Sequence, residues 1–194
     1  MHPGQGLSSD SQMPRGARIL MRLLNFILLA LLFMPRVAGA DDWISLAKND
    51  PDYVTFSGGV FDVEHEKDRE AEFSLEYRYA DQFWGFKPFV HASYVTNNMT
   101  FLGAGLLMDI QLGDNWIVQP SIAPTWWRGK TDQLDLGYGL QFRSRIEIAY
   151  RFPDNSRFGV SATHSSNASL GDTNPGIESV MVNISVPTSF FRYK

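Results

Sequence analysis

Leu134-Asp135-Leu136-Gly137-Tyr138-Gly139-Leu140-Gln141-Phe142-Arg143-Ser144-Arg145-Ile146-Glu147-Ile148-Ala149-Tyr150-Arg151-Phe152 is the stretch that decides the fold. Leu134, Leu136, Tyr138, Leu140, Phe142, Ile146, Ile148, Tyr150 and Phe152 fall at even positions, and small or charged residues such as Gly137, Gln141, Arg143, Arg145 and Glu147 fall at odd ones. A period of two is the mark of a β-strand, because successive side chains leave opposite faces. The split recurs at Leu102, Ala104, Leu106, Met108 and Ile110, and at Val180, Val182, Ile184 and Val186 against Ser179, Asn183 and Ser185. Eight strands are predicted, near 53–62, 70–80, 86–95, 100–112, 115–127, 134–152, 156–166 and 177–187. No long stretch has the 3.6-residue period of a helix, so the chain reads as all-β.

Alternation does not by itself say which face points inward, since a lipocalin-like soluble barrel alternates too. The polar set settles the direction. Asp109, Gln141, Arg143, Arg145 and Glu147 can pair inside a narrow barrel but would line a hydrophobic ligand cavity badly. Eight strands enclose a space just wide enough for side chains. Strands of about ten residues span a bilayer when tilted, and the bulky set forms a continuous lipid-facing band. Aromatic residues gather at strand ends as candidate girdles, with Phe83, Trp84, Trp116 and Phe152 at one rim and Trp126 and Trp127 at the other. The connections around Asp81-Gln82, Gly113-Asp114-Asn115 and Pro153-Asp154-Asn155 are short, as periplasmic turns are. The fold class expected is therefore an eight-stranded antiparallel transmembrane β-barrel of the bacterial outer membrane, with both termini in the periplasm.

The N-terminus fits that destination. Arg15, Arg18 and Arg22 precede an apolar run from Leu23 to Met34, and Ala38-Gly39-Ala40 offers the small residues of a cleavage site. Residues 1–40 thus read as a secretory signal peptide, with Met21 to Ala40 sufficient alone and the residues before Met21 an upstream extension. A transmembrane anchor would need about 20 apolar residues, and this run ends sooner, at Pro35-Arg36. Residues 41–194 are then the barrel with a short periplasmic lead. Removing the signal takes away four arginines and one aspartate, so the formal charge moves from −4 to −7. That charge argues against nucleic acid as a partner. The absence of cysteine excludes disulfides, thiolate metal sites and cysteine nucleophiles, and His2, His65, His91 and His164 show no metal-binding spacing.

One segment breaks the greasy parity. His164, Ser166 and Glu178 all sit where lipid-facing residues belong. His164 and Ser166 leave the same face of the seventh strand with Cα atoms roughly 7 Å apart, and Glu178 returns on the eighth strand, on the same face. A carboxylate holding one imidazole nitrogen leaves the other free to take a serine proton, which is the logic of a Ser-His-acid triad. The amide of Asn167, the next residue, is a candidate oxyanion donor. A His-x-Ser pair is common by chance, and rim residues bathed in lipid headgroups would look similar. A His and a Glu facing lipid are costly, however, unless paired or functional. Asn174-Pro175-Gly176 reads as turn chemistry that brings Glu178 back in register.

With His164-x-Ser166-Asn167-Ala168, the loop containing Gly176, and Glu178 at matching spacing, the chain resembles the outer-membrane lipid A 3-O-deacylases of the PagL type. The resemblance extends as a barrel pattern over most of the mature chain. It implies a site on the outer wall, with Ser166 as nucleophile, His164 as general base, Glu178 as orienting acid and Asn167 in the oxyanion hole. Ser169 departs from the glycine that some members carry there. The implied activity is a serine esterase that removes the ester-linked 3-hydroxyacyl chain at position 3 of lipid A, without metal or organic cofactor. Its partner is then lipopolysaccharide in the outer leaflet, with Arg128 and Lys130 as candidate phosphate contacts and a homodimer as one way to shield the site. The alternatives are a non-catalytic barrel with a structural or binding role and a soluble ligand-binding barrel in the periplasm.

Overall fold

The computed structural model describes residues 43–47, 49–64, 69–129, 131 and 134–191; the expected signal peptide lies outside them. Ten strands follow one another: β1 (Ile44–Leu46), β2 (Tyr53–Phe61), β3 (Glu70–Arg78), β4 (Lys87–Val95), β5 (Met99–Leu107), β6 (Ile110–Leu112), β7 (Trp116–Arg128), β8 (Leu140–Arg151), β9 (Arg157–Ser166) and β10 (Ile177–Pro187). β5 and β6 are two parts of one barrel strand, since β7 pairs both in a single register, Leu107 with Ser121 and Ile110 with Val118. Eight antiparallel barrel strands result, closed where β10 meets β2 and where β7 meets β8. β4 begins at Lys87, opposite Leu107, so β6 extends past it with one edge open. β1 fills that edge, pairing Ile44 with Leu112 and Leu46 with Ile110.

Parity decides what faces each way. On β4 the odd residues Phe89, His91, Ser93 and Val95 are buried and the even residues between them exposed. Phe56, Phe73, Leu75, Leu106, Ile122 and Ile184 point outward, giving the apolar band that lipid requires. Inside, charges pair in tiers. Asp50 and Asp109 sit among Lys87 and Arg157 near the start of the barrel, with contacts of 2.8–3.0 Å. In the middle Glu76 receives both Nη atoms of Arg145, at 2.8 and 2.9 Å, and Nε of Arg78, whose Nη2 reaches Glu147 at 2.7 Å. Higher up, Arg143 pairs with Glu72 at 2.9 Å, and Ser179 donates to the same carboxylate. Burying an ion costs several kcal/mol unless its partner is well placed, and here each of these carboxylates has at least one cation in contact.

The outer mouth is closed differently, and two sequence expectations change there. Residues 134–139 are not strand; β8 starts at Leu140. Leu134 and Leu136 instead turn into the mouth and pack in a cluster with Phe61, Val95, Met99, Phe101, Trp127 and Ile177. Alternation with Asp and Gly suits a loop that drops every second side chain into an apolar opening as well as it suits a strand. Trp127 belongs to this plug and not to the outer girdle, because its odd position turns it inward; its indole N–H donates to the Tyr138 carbonyl. Trp126, beside it, remains on the lipid-facing side. The loop asymmetry is also uneven. Connections 129–139 and 167–176 are long, but 96–98 at the same end is short, and 79–86 at the opposite end is extended by a Phe83 to Phe86 bridge.

The central tier gives a stability prediction. Glu76→Gln leaves Arg78 and Arg145 sharing too little negative charge in a closed interior, and should lower unfolding free energy by about 3 kcal/mol in urea titrations of the detergent-solubilised protein. Val182→Leu on the outward face should change it by less than about 0.5 kcal/mol. Equal losses in the two variants would show that the interior pairs do not hold the barrel.

Candidate active site on the outer wall

β9 and β10 put the unusual residues together. Outward parity on β9 runs through Phe158 and Val160 and then reaches His164 and Ser166. In the ladder between β9 and β10, Glu178 is the direct partner of His164. Directly opposed residues on neighbouring strands have Cβ atoms about 5 Å apart, within reach of a short side-chain hydrogen bond. His164 Nδ1 lies 2.8 Å from Glu178 Oε1. The carboxylate is 3 % exposed and the imidazole 15 %, so the contact is sheltered although it stands on the barrel's exterior. An ionised carboxylate only accepts, which makes Nδ1 the protonated nitrogen of a neutral imidazole and leaves Nε2 as its lone-pair base.

Ser166 lies two residues beyond His164 on the same face, opposite Phe142 of β8. Among the described residues its hydroxyl makes no hydrogen bond. Gly176 covers the imidazole from the loop side: it has φ +70°, and a Cβ there would lie 3.2 Å from His164 Cε1. A side chain there would have to push the imidazole back by a few tenths of an ångström, from a backbone conformation that L residues rarely adopt.

Asn167 departs from its sequence expectation. Its odd position turns it inward, where it is fully buried, and its amide nitrogen donates to the carbonyls of Leu136, at 3.0 Å, and Thr173, at 2.6 Å. Its side-chain oxygen accepts from the Ser169 N–H at 2.9 Å. Those bonds tie loop 134–139 to loop 167–176 and use both amide hydrogens, so none remains for an oxyanion. The chain bends through consecutive left-handed residues, Ala168 at φ 52° and Ser169 at φ 63°. Asn174 was legible in the sequence only as turn chemistry. Its side-chain oxygen accepts the Asn167 N–H at 3.0 Å, which fixes its carboxamide one residue from Ser166 while its NH2 group has no partner among the described residues. Arg128 stands exposed at the end of β7, on the other side of β8 from His164, and Lys130 lies outside the described residues.

Fold and site together define an outer-membrane β-barrel with a histidine, a serine and a glutamate gathered on its lipid-facing wall. The lipid A 3-O-deacylase (PagL) family model matches residues 61–187, and the chain belongs to that family. The crystal structure of the outer membrane enzyme PagL superposes with a TM-score of 0.58 at 21 % identity, over 70 % of this chain and 99 % of that one. A de novo designed transmembrane β-barrel superposes with a TM-score of 0.50 at 13 % identity, over 73 % and 98 % of the two chains. At such identities the likenesses establish the fold. No curated protein sequence matches the chain.

The Gly176 contact yields a direct prediction. Gly176→Ala forces a Cβ against His164 in a strained backbone and should cost about 1 kcal/mol or more of stability, with a larger loss of esterase turnover because the imidazole is displaced. Turnover equal to wild type in a folded Gly176→Ala protein would remove this glycine from the site.

Proposed function

We propose that this protein is a serine esterase that hydrolyses the ester-linked 3-hydroxyacyl chain at position 3 of lipid A. Family membership supports the substrate. The observation that carries the mechanism is the 2.8 Å contact between His164 Nδ1 and Glu178 Oε1, on lipid-facing parity at the outer end of the barrel, with Ser166 beside it. A lipid moving laterally in the outer leaflet meets such a site directly, whereas a soluble ester would have to enter the membrane to reach it.

In this reading His164 Nε2 removes the Ser166 hydroxyl proton as Oγ attacks the ester carbonyl carbon. Glu178 stabilises the imidazolium that forms. The negative charge that develops on the carbonyl oxygen needs a donor placed in advance, and Asn174, whose side-chain oxygen is held by the Asn167 N–H and whose NH2 group has no partner among the described residues, takes that role in place of the Asn167 side chain. Collapse breaks the ester bond and the imidazolium protonates the departing lipid A 3-hydroxyl oxygen, leaving the acyl chain on Ser166. Water, deprotonated by the same nitrogen, then attacks the acyl-enzyme. Its products are the 3-hydroxy fatty acid, free Ser166 and lipid A with one ester-linked chain fewer.

Mass spectrometry of lipid A from cells expressing wild type and Ser166→Ala tests the assignment. Wild type should remove one 3-hydroxyacyl chain and Ser166→Ala none; lipid A left fully acylated by an assembled wild-type barrel would favour the non-catalytic role. Glu178→Gln should stay folded and lose about 10,000-fold in turnover, the scale of neutralising the third member of a triad. Unchanged turnover in that variant would take Glu178 out of the mechanism.

A further inference from the structure

The wall opposite the triad carries a cleft. Around the barrel the strands run β2, β3, β4, β5 with β6, β7, β8, β9 and β10, so β4 lies four strands from β9 in either direction. A cavity of about 760 Å³ opens on the outer surface there, its walls formed by Phe73, Leu75, Leu102 and Trp126. The ladder explains it. Phe56, Leu75, Ala92, Leu102 and Trp126 are successive direct partners across five strands, and Ala92 is the one small residue in that row. Bulky residues stand on both sides of it in this row, leaving a trough between them.

The next row outward runs Phe73, Tyr94, Thr100, Arg128. Thr100 is the short residue of this row and continues the trough toward the loop end, where Arg128 lines it. Among the described residues Arg128 has no carboxylate partner. A guanidinium on the outer rim of an apolar trough complements a lipid whose chain lies along the wall and whose phosphate stands at its head, because Arg binds phosphate through paired, charge-assisted hydrogen bonds. The volume lies within the range of roughly 300–1,000 Å³ typical of small-molecule sites.

The geometry points to a second, non-catalytic lipid site: the Ala92 trough seats one acyl chain of a lipid A molecule other than the substrate, and Arg128 binds that molecule's phosphate. The floor of the trough at Ala92 lies four strands from the strand that carries Ser166, and its Arg128 edge on β7 lies two strands from it, so a chain seated at Ala92 is set apart from an ester held at Ser166. The assignment rests on the outer-leaflet placement of the wall and not on the chemistry at Ser166.

Native mass spectrometry of Ser166→Ala protein in mild detergent, titrated with lipid A, reads the occupancy without turnover. Adding Ala92→Phe, which fills the trough from an outward position, should remove one bound lipid A per barrel. Adding Arg128→Ala should weaken the same binding step by about tenfold, and dephosphorylated lipid A should not distinguish Arg128→Ala from its parent. In a background with Ser166 intact, Ala92→Phe should hydrolyse lipid A at the wild-type rate. Undiminished occupancy in both Ala92→Phe and Arg128→Ala, with folding verified by heat-modifiable gel migration, overturns the second site. A fall in turnover that parallels the lost occupancy also overturns it, by making the trough part of the substrate's own binding surface. If wild type hydrolyses nothing, the esterase reading fails while the occupancy assay still decides the trough.

Discussion

No backbone N–H or C=O can be left unpaired in hydrocarbon, and the rest of this structure follows from that constraint. A sheet satisfies it only by closing, and here closure joins β10 to β2 and β7 to β8. Once the sheet is closed, the two-residue period sorts every side chain into lipid or interior. The interior of eight strands is too narrow for a water column, so it must be filled by side chains. Carboxylates and guanidinium groups fill it because their charges are compensated at contact distance, as in the Glu76, Arg78 and Arg145 cluster. Each end is stopped by another device: the Asp50 carboxylate of the lead among Lys87, Arg151 and Arg157 at one, and the apolar plug around Leu136 and Trp127 at the other.

The same sorting explains how a polar site survives on a lipid-facing wall. Pairing with Glu178 gives the imidazole a partner that lipid cannot supply, and the strand ladder sets that pairing without any loop. The loops refine it. Asn167 joins two of them, holding Leu136 and Thr173 from a buried position, and the resulting turn lays Gly176 against the imidazole. Asn167 therefore shapes the loops, and the Asn174 side chain is held against its backbone N–H. Rigid strands carry the His-Glu pair, while the surroundings of Ser166 beyond the strand end depend on how the loops pack.

Much of this was legible in sequence because period-two patterning reports the fold directly. The polar residues at Arg143, Arg145, Glu147 and Asp109 announced a paired interior, and all four have charged partners in the structure. The failures differ in cause. Trp127, still paired with Phe101 inside the ladder, points inward by its odd position, whereas residues 134–139 kept the strand pattern past the start of β8 while folding as a plug. Alternation records that two environments exist, but beyond the end of a ladder it does not say whether the apolar one is lipid or the barrel's own mouth.

Residue order alone therefore determined the barrel, its strand number and the placement of His164, Ser166 and Glu178 on one exterior face, since all three follow from a period the backbone imposes on every strand. Tertiary structure decided what lies between strands and beyond their ends. Register brought Glu178 opposite His164, loop packing turned the Asn167 amide onto the Leu136 and Thr173 carbonyls, and the cross-strand row through Ala92 opened the trough that Arg128 borders. These are contacts between residues far apart in the chain, set by register and by closure, and no local pattern encodes either.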